Sequence, residues 1–369
     1  MAKKPGSSKS PSRISRPTKN RFEHAGTYVA NPAQVGGIEL FSMINGPGTP
    51  NRVAWVNTGS GLNYKVVIDR GLDIADAFYN GMSLSWLSLS GINRPEMSRN
   101  HGGDWLWGFY GGMVVSCGPS SVGSPGVDEG QELSLHGRHS NLAATVETVI
   151  NPDPLLGKNQ MSITGIVREA KLFEPNIELR RTIRSELGIP AIEIEDTFIN
   201  RGTQKTEHAW LLHINLGYPL IEEGAEVLFR GQVTPLPNAT DYFQKRDFRV
   251  LPAPMHEHDL AEAVAYIDPE TDRDQMVHCG VINNKRQMGL KLSFSKRDFP
   301  RFANWHHFGT MGQYVMGIEP ANCGVEGRAK DRQRGWLKFL KPGEKKNYRC
   351  KIQVLDGPEE LAEFRKLVK

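Results

Sequence analysis

Three short segments bring together side chains able to move protons. In residues 211–219, His213 and Asn215 alternate with Leu212, Ile214 and Leu216. On a strand this puts the imidazole and the amide on one face and the aliphatic residues on the other. Such a face suits the floor of a cleft, and it also suits an ordinary outward polar surface. In residues 314–322, Glu319 follows an apolar run and precedes Pro320. Desolvation there would raise its carboxyl towards the range useful to a general base. An ordinary strand-end glutamate fits the same pattern. In residues 135–138, His136 and Arg138 flank Gly137, which permits close backbone approach to a ligand. His139 next to them leaves open which histidine is the structural one.

A fourth segment, residues 69–74, reads Asp-Arg-Gly-Leu-Asp-Ile after the apolar run Val66–Ile68. Arg70 can present a guanidinium fork to a ligand oxygen, or pair with a nearby aspartate to staple the turn. His256, His258 and His306 could supply metal ligands, but Pro252, Pro254 and Asp259 argue that the 252–259 segment is a loop, and no metal is expected. Trp105, Trp107, Phe109 and Tyr110 could stack on sugar C–H faces or fill a core. Glycine-rich dinucleotide and phosphate loops, the GxSxG nucleophile elbow and the HExxH zinc helix are all missing.

The elements that must position these residues read as strands. Tyr348, Cys350, Ile352 and Val354 alternate with Arg349, Lys351 and Gln353. Leu290, Leu292 and Phe294 alternate with Lys291 and Ser293, and Ile192 and Ile194 with Glu193 and Glu195. Period-two patterns of this kind predict half-buried antiparallel strands with one wet face. Asn80-Gly81, Arg201-Gly202 and Pro342-Gly343 supply turns between them. A helix is predicted only at the C-terminus, opened by Pro358 with Leu361, Phe364 and Leu367 on one face. Strand follows strand from about residue 25 to 355 without a linker or an internal repeat. The expectation is an all-β fold: one large antiparallel β-sandwich over residues 21–369, with few short helices.

Composition sets the outer limits. The chain has 369 residues, 38% hydrophobic and 23% charged, with 38 Gly and 23 Pro, enough for a sizeable core and many turns. The net charge of +4 is unevenly placed: residues 1–20 carry six basic side chains and no acid. That segment reads as a disordered basic tail. The body is close to neutral, which excludes a nucleic-acid reading built on overall charge. The absence of an apolar run long enough for a membrane span, and of an N-terminal signal segment, predicts a cytoplasmic protein. Four scattered cysteines, Cys117, Cys279, Cys323 and Cys350, read as free thiols.

In order along the chain, IDRGLDI (68–74), AFYNG (77–81), LHGR (135–138), LLHINLGYPL (211–220), GIEPAN (317–322) and GRA (327–329) resemble the aldose 1-epimerase, or galactose mutarotase-like, superfamily. More narrowly they resemble its domain-of-unknown-function 4432 branch. The resemblance implies a large β-sandwich with a sugar cleft on one sheet face. It also implies an isomerase that interconverts anomers by ring opening and reclosure, with Glu319 as general base and His213 as general acid. His136 corresponds to a second, sugar-binding histidine. Further substrate contacts are expected at Arg138, Arg70, Asp73, Asn215 and Asn322. The implied partner is a small-molecule carbohydrate, and no cofactor is required. The sequence departs from the family in lacking a clear counterpart of the sugar-binding Asp, and in placing Arg138 where a glycine is usual. If Arg70 and Arg138 both faced the cleft, an anionic sugar would be the expected substrate. A non-catalytic carbohydrate-binding sandwich, and a different sugar isomerase or lyase reaction on the same scaffold, are the alternatives.

Overall fold

Alternating apolar residues become the strands of two large sheets. The computed structural model describes residues 25–369 apart from 99, 174 and 257–261. The basic tail 1–20 and His258 therefore lie outside the described residues. An eight-stranded sheet runs in the order Glu226–Phe229, Met276–Asn283, Met288–Ser295, Lys345–Asp356, Ala191–Asn200, Asn176–Glu186, Gln160–Ala170, Thr145–Ile150. A six-stranded sheet runs Gly231–Pro235, Glu262–Pro269, Arg301–Phe308, Tyr314–Ala321, Leu211–Leu216, Val115–Cys117. Every pairing in both is antiparallel.

The inner faces of these sheets share one apolar core. Ile192, Ile194, Leu290, Leu292, Phe294, Cys350, Ile352 and Val354 pack into it from the larger sheet. Leu212, Ile214, Leu216, Met316, Ile318 and Phe302 enter from the smaller one. The alternation read in the sequence thus sorts inward from outward residues as expected. A third, five-stranded sheet, built from Gly37–Ser42, Arg52–Asn57, Leu62–Val67, Asp73–Tyr79 and Met82–Ser83, joins the six-stranded sheet through bridges from Ile74 to Val114 and from Ser85 to Leu216.

Asn80 and Gly81 turn the hairpin into the last of those five strands, both at positive φ as a tight hairpin turn requires. The C-terminal helix, Pro358–Leu367, forms as predicted and buries Leu361 and Phe364 against Ile282 and Leu355. Leu367 remains 38% exposed, and Val368 takes the buried position beside them. A helix not foreseen, Arg328–Arg334, covers one end of the sandwich, its Arg328 and Arg332 both held by Asp128. All four cysteines are free and buried. Among the described residues no helix is long and apolar enough to cross a membrane.

Candidate active site

The outer face of the six-stranded sheet carries the candidate chemistry. With Leu211 opposite Ala321 and Ile214 opposite Ile318, the register sets His213 across from Glu319. His213 Nε2 lies 3.3 Å from Glu319 Oε1, and both side chains are buried. On the next strand Ala303 stands opposite Glu319 and Trp305 opposite Gly317. Gly317 is required here for space: a Cβ at this position would run into Oε1 of Glu319 and sit 3.2 Å from the Trp305 Cβ. The short helix Trp105–Gly108 and the loop after it close the hollow. Trp105, Phe109, Trp305 and His136 ring the His213 imidazole with centroids 6.3, 5.1, 5.4 and 5.7 Å away. Trp86 leans on Phe109 and Trp305 and donates its Nε1–H to the Gly312 carbonyl.

His136 reaches the hollow from a turn in which it and Gly137 both adopt the left-handed conformation, with φ of 57° and 73°. A non-glycine residue held there is uncommon and needs a surrounding frame. The frame is the pair of bonds from its own N–H to Gly123 O and from Gly118 N–H to its carbonyl. His139 is the structural histidine, buried, bonded to the Gly71 carbonyl and edge-on to Trp210.

Burial governs the electrostatics. Desolvation pushes the Glu319 carboxyl up to about 8, with no neighbouring cation to pull it down. Desolvation, with a smaller contribution from His136, pushes His213 down to about 3, while Asn215 beside it acts in the opposite direction. His136 falls to about 4 for the same reason of burial. A single proton on the pair therefore rests on Glu319 in the unliganded site, with His213 neutral. Glu319 Oε1, His213 Nδ1, His136 Nδ1 and Asn215 Oδ1 are buried without a well-formed hydrogen bond. Unpaired buried polar atoms are uncommon, and four of them lie around the His213–Glu319 contact.

The structure brings Glu319, His213, His136 and Asn215 together, and it places the other predicted contacts elsewhere. Arg70 is buried and points inward. It donates to Ser140 O, to Gly108 O at 2.9 Å, and to Asn93 O and Oδ1, over the face of Tyr110. Since Ser140 Oγ accepts from Trp105 Nε1, Arg70 braces the aromatic wall from behind instead of meeting a ligand. Asp73 is fully buried between Arg181 and Ser116. Asn322 accepts from Trp210 N–H and donates to the Tyr348 hydroxyl. Arg138 is exposed and lines a different depression, beside Glu169. The premise for an anionic sugar, two arginines in the cleft, is thereby removed. His306 is occupied within the core, Nε2 bonded to Asn304 Oδ1 and Nδ1 to the Tyr242 hydroxyl, which withdraws it from metal ligation. Trp86 and Trp305 escaped the sequence reading, and Gly317 entered it only as the first residue of the 317–322 motif. Only the strand register brings Trp305 to Glu319, whereas Gly317 shares the face of Glu319 from two residues earlier on the same strand.

The family model described as "Domain of unknown function (DUF4432)" matches residues 48–354. The chain belongs to this DUF4432 family. No curated protein sequence matches it significantly. Among solved structures, this DUF4432 protein is similar to a "putative aldose 1-epimerase" from Klebsiella pneumoniae subsp. pneumoniae, with a TM-score of 0.84 and 22% identity over 93% of each chain. It is also similar to a galactose mutarotase-like protein from Clostridium acetobutylicum, with a TM-score of 0.59 and 12% identity over 88% of this chain and 99% of that one. Galactose 1-epimerase from Lactobacillus acidophilus gives a TM-score of 0.57 and 11% identity over 87% and 99%. The DUF4432 chain thus has a galactose mutarotase-like fold.

Proposed function

We propose that this protein is a sugar isomerase of the aldose 1-epimerase type, carried by a single domain over residues 21–369 and acting on a neutral aldose. The observation that carries the reading is the buried His213–Glu319 contact at the floor of an aromatic hollow. The anomeric hydroxyl and the ring oxygen of a pyranose are bonded to the same carbon. Two proton-handling groups 3.3 Å apart can therefore address both oxygens. One group removes the anomeric proton while the other protonates the ring oxygen, the C1–O5 bond opens, and rotation about C1–C2 precedes reclosure. Glu319 serves as base and His213 as acid once the proton moves from the carboxyl to the imidazole. The reverse assignment serves the opposite direction, since the proton count of the pair is the same. Both groups return to their starting state after each turnover. His136 and Asn215 supply hydrogen bonds to the sugar, and Trp105, Phe109 and Trp305 supply apolar faces for its C–H surface.

The test is anomeric exchange followed by saturation-transfer NMR across neutral aldoses, uronates and sugar phosphates. Wild type should accelerate exchange of a neutral aldose. Glu319→Gln and His213→Ala should each lower the rate by about 10²–10⁴-fold. Binding without exchange would favour a carbohydrate-binding module, and a new unsaturated product would favour lyase chemistry.

A further inference from the structure

The fold holds a second polar cavity that the acid–base chemistry does not use. This depression of about 1140 Å³ lies between the turn 120–138, the hairpin 169–176 and the segment 200–207. Four of its lining side chains carry a buried polar atom with no hydrogen-bond partner: Ser121 Oγ, Glu169 Oε2, Asn176 Oδ1 and Thr206 Oγ1. Ser121 and Thr206 are only 2% and 4% exposed. Buried polar groups in native proteins are nearly always paired, so a cluster of orphans around one cavity indicates a missing partner. At the rim, Leu172 and Phe173 are 78% and 97% exposed, and Phe173 holds a left-handed φ of 65°. Arg138 projects into the same depression.

We propose that this depression is a second binding site, for a neutral polyhydroxylated ligand such as an oligosaccharide chain. The orphans decide the class. Two are hydroxyls that can donate or accept, one is an amide oxygen that accepts, and one is a carboxyl oxygen. An anion brings acceptors alone and would leave the Asn176 amide oxygen unmatched. The charged lining is mixed, with Arg138, Lys171 and Lys205 beside Glu132 and beside Glu129 and Glu207, both held by Arg332, so it does not select an anion. Sugar hydroxyls both donate and accept, and the C–H face of a pyranose fits the exposed Phe173 ring. Burial pushes Glu169 up to about 7, against the opposing influence of Ser120, Arg138 and Arg328, so near neutrality its carboxyl is available in both protonation states. The turn that carries His136 to the acid–base pair carries Arg138 into this depression, with Gly137 between them. A Cβ at Gly137 would approach Ser121 O to 2.5 Å and Gly118 O to 2.8 Å. The two sites are thus back to back on one tight turn. The proposal stands whether or not the first site is a mutarotase.

The experiment is saturation-transfer difference NMR on the full chain with maltotriose, cellotriose and xylotriose. Wild type should receive transfer to at least one of the three. Thr206→Val and Phe173→Ala should each weaken its Kd by about tenfold, the loss of roughly one good contact. Glu319→Gln should leave that Kd unchanged. Phe173 is almost fully exposed, so its variant folds even if Thr206→Val does not. Silence with all three sugars, which is the outcome expected if water alone fills the cavity, overturns the proposal. Binding abolished by Glu319→Gln and untouched by Phe173→Ala also overturns it.

Discussion

At the scale of single residues, the chemistry depends on where one proton sits. Burial raises Glu319 to about 8 and lowers His213 to about 3, so the pair keeps one proton across a wide range. The proposed mutarotation needs that proton. Raising the pH through about 8 removes it, and lowering it towards 3 adds a second. The expected profile of kcat/KM against pH, which reports the groups of the free protein, is flat through neutrality and falls on the alkaline side near 8, as stopped-flow polarimetry over a pH series would show. Stability follows the same group. Its folded pKa exceeds the ordinary 4.5, so the stability it contributes is complete below 4.5 and is lost as the pH rises through 8. Glu319→Gln removes that loss. Its advantage over wild type should vanish at low pH and reach about 3 kcal/mol near neutrality, by denaturant titration at both pH values. His213 and Glu319 were both legible in the sequence, because an imidazole and a carboxylate stand out within apolar strands. Arg70, Asp73 and Asn322 stand out in the same way, and the sequence has no means of showing that their partners are Ser140, Arg181 and Tyr348.

At the scale of elements, small residues and a hidden brace shape the hollow. Gly317 gives Glu319 its room, since any Cβ there meets the carboxylate. Gly317→Ala should cut kcat by about 100-fold, the usual cost of misplacing a reacting group by an ångström, and lower stability by about 1–3 kcal/mol, the usual cost of overpacking a buried site. Arg70 works through the helix Trp105–Gly108, tying Gly108, Asn93 and Ser140 to the turn after Val67. Arg70→Met leaves those buried carbonyls unpaired and should cost about 3 kcal/mol in a denaturant titration. A ligand-binding fork would instead raise KM and spare stability. Strand periodicity identified which faces are polar, and the aromatic group 105–110 was visible as a cluster. Trp86 and Trp305 were not linked to it, because they lie far apart in the chain and meet only when the sheets assemble.

At the scale of the whole molecule, three sheets meet at one buried ion cluster. Arg181 of the eight-stranded sheet binds Asp196 beside it at 2.7 and 2.8 Å, and Asp73 of the five-stranded sheet at 2.6 Å. Asp73 also takes bonds from Ser116 of the six-stranded sheet. Burial raises Asp73 to about 6 even against Arg181, so it is a costly group to leave alone. Arg181→Met strands two buried carboxylates and should destabilise the fold by about 3–5 kcal/mol, measured by chemical denaturation. The same placement explains why Asp73 failed as a sugar contact. The sequence by itself determined the all-β architecture and the inward and outward faces of the strands. These follow from local periodicity and residue type, which any stretch of chain carries within itself. It also offered His213 and Glu319 as candidates, and the pairing of the two as acid and base came from the family resemblance. Only the tertiary structure decided which charged residues face a cavity and which are locked in the core. A guanidinium has the same composition in either place, and its partners come from segments tens to more than a hundred residues away.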